Sequence, residues 1–429
     1  MRVTATHRLC FLGILLFISL VLCARRFGGQ GEAFPLVPLF VAGIAYLLAV
    51  RELFCAASVP KSLVVIGLGL AALWHVAFLS IPTGSDDDVR RYVWDGRVQR
   101  LGYNPYIVVP DDPTVAAMHT AETRPLNHSD LPSPYPPGAE LFFRAVTAVH
   151  ESTLAMRVAF VLCELAIVAI LFGILRSTGR GAHWILVFAW NPLLATEVAG
   201  SGHVDILGAL LLVASFVALT RRWRPAAAMA FALAIAVKPL PIVLLPLYWR
   251  RVRVRDGVLA AFVFALLYLP FLQHGRIPSG SIGTYLHSFR FNGPLFAAVE
   301  RLATPAVAAA FAALVGMAVA AWFRAKSQTL SSDAFAWPMA ASLLFAPVVY
   351  PWYLLWLLPF ARSLCSLPIL VWTVSIIPTY IVWHLRAAGQ PWILPAWVMP
   401  IEYGLIALTA LILLFCRIAA RYANYKRSE

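Results

Sequence analysis

Apolar runs of about 20 residues recur along almost the whole chain and are separated by short basic clusters. Twenty helical residues rise ~30 Å, the thickness of a bilayer's hydrocarbon core. The runs fall at about 9–24, 35–50, 62–81, 154–176, 184–199, 204–220, 226–249, 257–273, 303–323, 334–361, 366–384 and 400–417. Only 13% of the 429 residues are charged and 61% are hydrophobic, against ~25% charged in an ordinary soluble domain. A soluble core cannot hide that much apolar surface. The chain reads as an all-α polytopic membrane protein with about 11–13 transmembrane helices, the first of them an uncleaved span.

The formal net charge is +14. Its basic residues cluster at Arg221–Arg224, Arg250–Arg255, Arg324–Lys326 and beyond Arg417. Such clusters mark cytoplasmic loops and give no reason to expect nucleic acid as a partner; membrane lipids are the expected surroundings. With a cytoplasmic N-terminus, three spans (1–81) place residues 82–153 outside, and 154–429 hold the remaining spans with outer loops at about 199–204, 274–300 and 385–399. A single span over 226–249 would put Arg250–Arg255 on the wrong side. A hairpin broken at Lys238-Pro239 resolves the conflict. The 334–361 run, with four prolines, also suits a hairpin. Broken helices at membrane depth line cavities.

The 82–153 loop holds 10 of the 20 acidic residues and seven of the ten aspartates. Loops of that length are functional or separately folded. It opens with Asp86, Asp87 and Asp88, then Arg90, Arg91, Tyr92 and Asp95. On a helix, Asp88, Arg91, Tyr92, Asp95 and Gln99 share one face. The alternative reading is a capping box, with Ser85 as N-cap and Asp88 at N3. Gly102-Tyr103-Asn104-Pro105-Tyr106 reads as the turn that ends this helix, and Ser133-Pro134-Tyr135-Pro136-Pro137-Gly138 as a stiff lead into the next.

Further along, Glu197, His203 and Asp205 stand between two short apolar runs, and Lys238 lies inside one. A bare lysine at membrane depth costs ~2.5–3.5 kcal/mol on insertion scales, so such residues are functional candidates; the plainer reading for Lys238 is snorkelling to an interface. His287 and Arg290, with Tyr285, suit a sugar or a lipid headgroup, or an interfacial aromatic belt. The histidine and carboxylate spacing matches no standard zinc motif.

In this order the motifs resemble those of the GT-C superfamily of integral membrane glycosyltransferases. The carrying residues are the outer-loop aspartate followed by Arg-Tyr, Gly102-x-Asn104-Pro105-Tyr106, Tyr135-Pro136-Pro137, Asn191-Pro192-Leu193 with Glu197 and Gly202-His203-x-Asp205, Lys238-Pro239, and Pro351-Trp352-Tyr353. The chain is similar to polyprenyl-phosphate-mannose-dependent transferases of family 87 type, and the catalytic subunit of GPI mannosyltransferase I carries a comparable arrangement of motifs. The resemblance implies a GT-C fold whose long first outer loop carries juxtamembrane helices. It implies transfer of a hexose, mannose first, from a polyprenyl-phosphate sugar donor to a lipid-linked or glycan acceptor outside the cytoplasmic membrane, with inversion. Asp88, or Asp87 beside it, becomes the general base. Arg90, Arg91, Lys238 and Arg290 become candidate partners of the leaving phosphate, and Tyr92, Asp95, Asn104, Tyr106, Tyr135, Glu197, His203, Asp205 and His287 candidate substrate contacts. No cofactor or metal is implied, although three adjacent aspartates also suit a divalent cation. A lipid or solute transporter, a non-catalytic subunit of a glycosylation complex and an oligosaccharide ligase or polymerase are the rival readings.

Overall fold

A computed structural model describes residues 5–26, 35–83 and 88–428. Three apolar helices, α1 (Ala5–Arg26), α2 (Leu36–Cys55) and α3 (Lys61–Leu79), come first. Leu9, Leu12, Leu16 and Leu20 recur at i, i+3/i+4 along α1 and are buried, as a helix packed on one side requires. The 82–153 segment follows. It contains α4 (Val89–Arg100) and α5 (Pro137–Val149), which pack closely because Gly96 leaves no room for a side chain: a Cβ there would stand 2.5 Å from the Phe143 carbonyl oxygen.

Helix α6 (Thr153–Ser177), 25 residues long and apolar enough to cross a membrane, follows. The short α7 (Ile185–Ala189) leads to a π-helical turn, Leu194–Gly200, which bends by 113° into α8 (Asp205–Thr220). Next come α9 (Arg224–Ile235), α10 (Leu245–Tyr248) and α11 (Val254–Leu266). After a loop carrying α12 (Ile282–Ser288) and α13 (Pro294–Glu300), α14 (Pro305–Lys326) crosses again. The chain ends with α15 (Asp333–Leu344), α16 (Leu367–Ser375), α17 (Ile381–Ala387) and α18 (Val398–Ser428).

Eight of the described helical segments are long and apolar enough to cross a membrane, and a ninth if the bent pair counts as one. The chain is an all-α polytopic membrane protein. The expectation of 11–13 crossings differs for a physical reason: the apolar runs around 184–220, 226–249 and 334–361 are broken into short pieces, the latter two at proline, which removes an amide donor and stops the helix. Both hairpins are present, the first expected from the Arg250–Arg255 charge conflict and the second from the prolines of 334–361. Arg222–Arg224 and Arg253, at the two ends of the 224–253 segment, line one groove. Asp333 and Ser363, at the two ends of the 333–363 segment, meet in a 2.8 Å hydrogen bond.

The three breaks converge. Lys238 at the first hairpin's tip reaches Asp205, and Trp352 and Trp356 from the second stand against His203 and Asp205. The tip of the first hairpin is itself held from the 82–153 segment. Amides of Gly138 and Ala139, at the N-terminus of α5, both donate to the Ala236 carbonyl just past α9, at 2.9 and 3.2 Å. Orphan groups of two helix ends satisfy each other.

Candidate active site

Asp88 stands at the N-cap position of α4, not at N3, and its side chain makes no capping bond. The capping-box reading is therefore corrected: Asp88 Oδ1 instead accepts from Asn127 Nδ2 at 2.9 Å, and Oδ2 from the Tyr135 hydroxyl at 3.1 Å. The side chain keeps 22% of its exposure. Asp86, Asp87 and Ser85 lie outside the described residues.

The other residues on the expected α4 face do not point outward. Arg91 Nε pairs with Asp95 Oδ1 at 3.0 Å, and its remaining donors hold the His128 and Leu131 carbonyls. Asp95 is fully buried. Tyr92 stacks on Phe143 and meets Tyr135 edge to face. This face clamps the 82–153 segment together, because a buried ionisable group must find its partners inside the protein. Arg90 likewise donates to the Glu122 and Thr83 carbonyls.

Behind Asp95 sits Glu140, also fully buried, which accepts from Ser133 Oγ at 2.5 Å and Gln99 Nε2 at 2.7 Å. Burial, and then the neighbouring Asp95 charge, push the Glu140 carboxyl well above its ordinary range. Burial raises Asp95 as well, but Arg91 pulls it back. Glu140 is therefore the member that holds a proton, and Asp95 is the one that stays paired to arginine.

His203 stands beside Asp88, Nε2 to Oδ2 at 4.0 Å. Its Nδ1 lies 2.9 Å from Glu197 Oε2 in an ion-pair contact rather than an aligned hydrogen bond, and the Tyr380 hydroxyl donates to the other Glu197 oxygen. The imidazole stacks on Trp352, centroids 3.9 Å apart and planes 9° from parallel, and Trp352 stacks in turn on Tyr350. Asp205 accepts from Lys238 Nζ at 2.6 Å and Trp356 Nε1 at 2.7 Å. The Lys238 ammonium also lies 4.8 Å above the Tyr353 ring, and the Tyr353 hydroxyl meets that of Tyr285 at 2.5 Å.

Asp88, Tyr135, Glu197, His203, Asp205 and Lys238 are thus drawn into one neighbourhood. The remaining expected residues are placed differently. Asn104 caps its own turn through the Tyr106 amide and donates to the Phe271 carbonyl, and Tyr106 donates to the Tyr135 carbonyl. These bonds set the loop that carries Tyr135. Arg290 pairs with Glu300 at 2.6 Å, and His287 is exposed on α12.

Sequence reasoning missed Arg157. Its buried guanidinium donates to the carbonyls of Phe78, Ile81, Ala199 and Gly200, tying the ends of α3 and the π-helical turn to α6. A lone arginine near the start of the 154–176 apolar run was the available signal. The pair His75–Glu164, Nε2 to Oε2 at 3.0 Å, is a second buried contact, between α3 and α6, that no local pattern announces. Among the described residues no three His, Cys, Asp or Glu side chains gather as metal ligands would.

The arrangement offers one partly exposed carboxylate, supported by a tyrosine, an asparagine and a histidine, beside an aromatic wall and an ammonium. It suits proton transfer to or from a hydroxyl-bearing, anionic substrate. No curated protein and no solved structure matches the chain. The family model described as the alpha-(1->6)-mannopyranosyltransferase N-terminal domain matches residues 14–252, which is more than half of it and includes Asp88, Tyr135, Glu197, His203, Asp205 and Lys238. The chain belongs to this GT-C family of mannosyltransferases.

Proposed function

We propose that the protein transfers mannose from polyprenyl-phosphate mannose to a glycan or lipid-linked acceptor at the extracytoplasmic face, forming an alpha-(1->6) bond. Asp88 accepts the proton of the acceptor's primary hydroxyl. That oxygen attacks the anomeric carbon, the bond from that carbon to the phosphate oxygen breaks, and polyprenyl phosphate leaves with the electron pair. Inversion to an α product requires a β-linked donor. A phosphate leaves without protonation, so one base suffices and a paired acid is unnecessary.

The observation that carries this reading is the setting of Asp88. It is the carboxylate of the converging cluster that combines partial exposure with donors holding both its oxygens, while Asp205 and Glu197 are closed off behind it. Lys238, 17% exposed, supplies positive charge for the departing phosphate. Trp352, Tyr350 and Tyr353 form an aromatic wall of the kind sugar rings and prenyl chains pack against. The placement of positive clusters on the face opposite the 82–153 segment supports the extracytoplasmic assignment.

The test is transfer in nanodiscs with polyprenyl-phosphate mannose and, separately, the glucose analogue, for wild type, Asp88→Asn and Asp87→Asn. Turnover with mannose, lost in Asp88→Asn while donor binding persists, supports the proposal. Full activity in both variants removes the base from this segment. No turnover in wild type with either donor returns the transporter and subunit readings.

A further inference from the structure

On the face opposite Asp88, a groove of about 670 Å³ opens between the end of the first hairpin and the end of α14. Helix α14 starts beside the 274–300 loop, which packs on the 82–153 segment through Ser281 and Ser133, and it rises ~24 Å from Pro305 to Ala321, where the groove begins. The two sites thus lie on opposite membrane faces. Leu245, Pro246 and Ala321 give the groove an apolar floor, Trp249 stands at its rim 70% exposed, and Arg250 and Arg324 line it.

The groove is cationic and lacks a counter-charge in its lining. Burial together with the Arg324 charge lowers the pKa of Arg251 beneath it. Unpaired cations that repel each other are held here by the fold. Arg251 is fixed by the carbonyls of Leu247, Ser327 and Gln328, and Arg324 by those of Trp249 and the Gln328 side chain. Arg250 is exposed and makes no hydrogen bond or ion pair among the described residues. Arg250 also has φ of +58°. This is the position after a helix where glycine is usual, and a non-glycine residue there is strained. Arg222, after α8 in the neighbouring groove, repeats the feature at φ +59°. A cation near a helix C-terminus does gain from the helix dipole, but a lysine or arginine one turn earlier gains that without strain.

We infer that this groove binds the phosphate headgroup of an anionic phospholipid of the cytoplasmic leaflet. Arg250 and Arg324 hold the phosphate, Trp249 sits at headgroup level, and the acyl chains run along the apolar floor toward the membrane-facing surface of α14. Trp322, 53% exposed with the Lys326 ammonium 4.6 Å above its ring, extends the same interfacial belt. The inference does not depend on which reaction the other face performs.

The experiment is native mass spectrometry of the full-length protein released from nanodiscs containing equal amounts of phosphatidylglycerol and phosphatidylcholine. Wild type is compared with Arg250→Gly, with Arg250→Gly/Arg324→Gln, and with Lys61→Ala, which removes an exposed charge from the same face. Phosphatidylglycerol is expected to be retained over phosphatidylcholine. Its affinity should weaken by more than the roughly fivefold that one diffuse juxtamembrane charge supplies for each groove arginine removed, and by no more than that in Lys61→Ala. Arg250→Gly should melt no lower than wild type, because glycine relieves the left-handed backbone; this separates lost binding from lost folding. Equal retention of the two lipids by wild type overturns the inference. So does wild-type retention in the double variant, or an equal loss in Lys61→Ala, which would leave only a diffuse attraction of the whole face.

Discussion

Asp88 Oδ2 and His203 Nε2 stand 4.0 Å apart, although one residue opens the 82–153 segment and the other sits in the break before α8. The ring is held from behind by Glu197 and flat by Trp352, so its position relative to the carboxylate is set by three separate parts of the chain. A base that must meet an acceptor hydroxyl within hydrogen-bond reach gains from such fixed surroundings.

On the proposed mechanism, replacing the carboxylate removes the proton acceptor and little else. Asp88→Asn keeps the size of the side chain and its contact with Asn127 or Tyr135. Transfer should fall by roughly 100- to 10,000-fold, the range for loss of a general base, with donor affinity within a few-fold of wild type. Radiolabelled mannose transfer alongside donor binding measures both.

His203→Asn tests positioning. The expected result is a kcat lower by on the order of tenfold to a hundredfold with KM little changed, since the interaction matters where the proton moves. A merely structural histidine would instead lower the melting temperature and leave the activity of the folded fraction intact.

Lys238→Met leaves Asp205, fully buried, with only the Trp356 N–H. Removing one partner of a buried pair costs on the order of 3 kcal/mol. Lys238→Met/Asp205→Asn should recover much of that stability, because no buried charge remains unpaired, yet stay slow if the ammonium assists the leaving phosphate. Thermal unfolding and transfer rates of the two variants decide it.

The Glu140 proton makes stability depend on pH. The folded state holds it to higher pH than the unfolded chain, which releases it near the ordinary value of ~4.3. The associated stability is full below that value and declines as pH rises toward the folded one. Melting temperature in detergent should therefore fall from about pH 5 to 8 in wild type, and the slope should flatten in Glu140→Gln, which mimics the protonated acid. Equal slopes in both proteins would disprove the assignment.

Gly280 has φ of +54°, and a Cβ there would stand 1.9 Å from the Ser133 carbonyl oxygen. Gly280→Ala should detach the 274–300 loop from the 82–153 segment, where the Ser281 hydroxyl now donates to the Pro132 carbonyl. A loss of roughly 1–3 kcal/mol is expected, with faster proteolysis in this loop as the local readout.

Hydropathy, charge and proline positions determined the all-helical membrane class, the hairpins at Lys238-Pro239 and within 334–361, and the importance of the segment holding half the carboxylates. These are local or additive properties: a run either spans a bilayer or breaks at proline, and basic clusters keep to one side. Short ordered motifs likewise carried the resemblance to mannosyltransferases. Pairing was another matter. Helical spacing put Arg91, Asp95 and Gln99 on one face with Asp88, but could not tell that the first three turn inward, Arg91 to Asp95 and Gln99 to Glu140, while Asp88 faces the converging hairpins. Arg290 reads like a phosphate ligand until Glu300 is seen beside it, and Arg157 acquires meaning only when the ends of α3 and the π-helical turn are brought to its guanidinium. Burial decides whether a charged residue is a tie or a tool. Burial and partners are set by contacts between segments far apart in the chain, so the tertiary structure alone could decide which of these residues stand in the site.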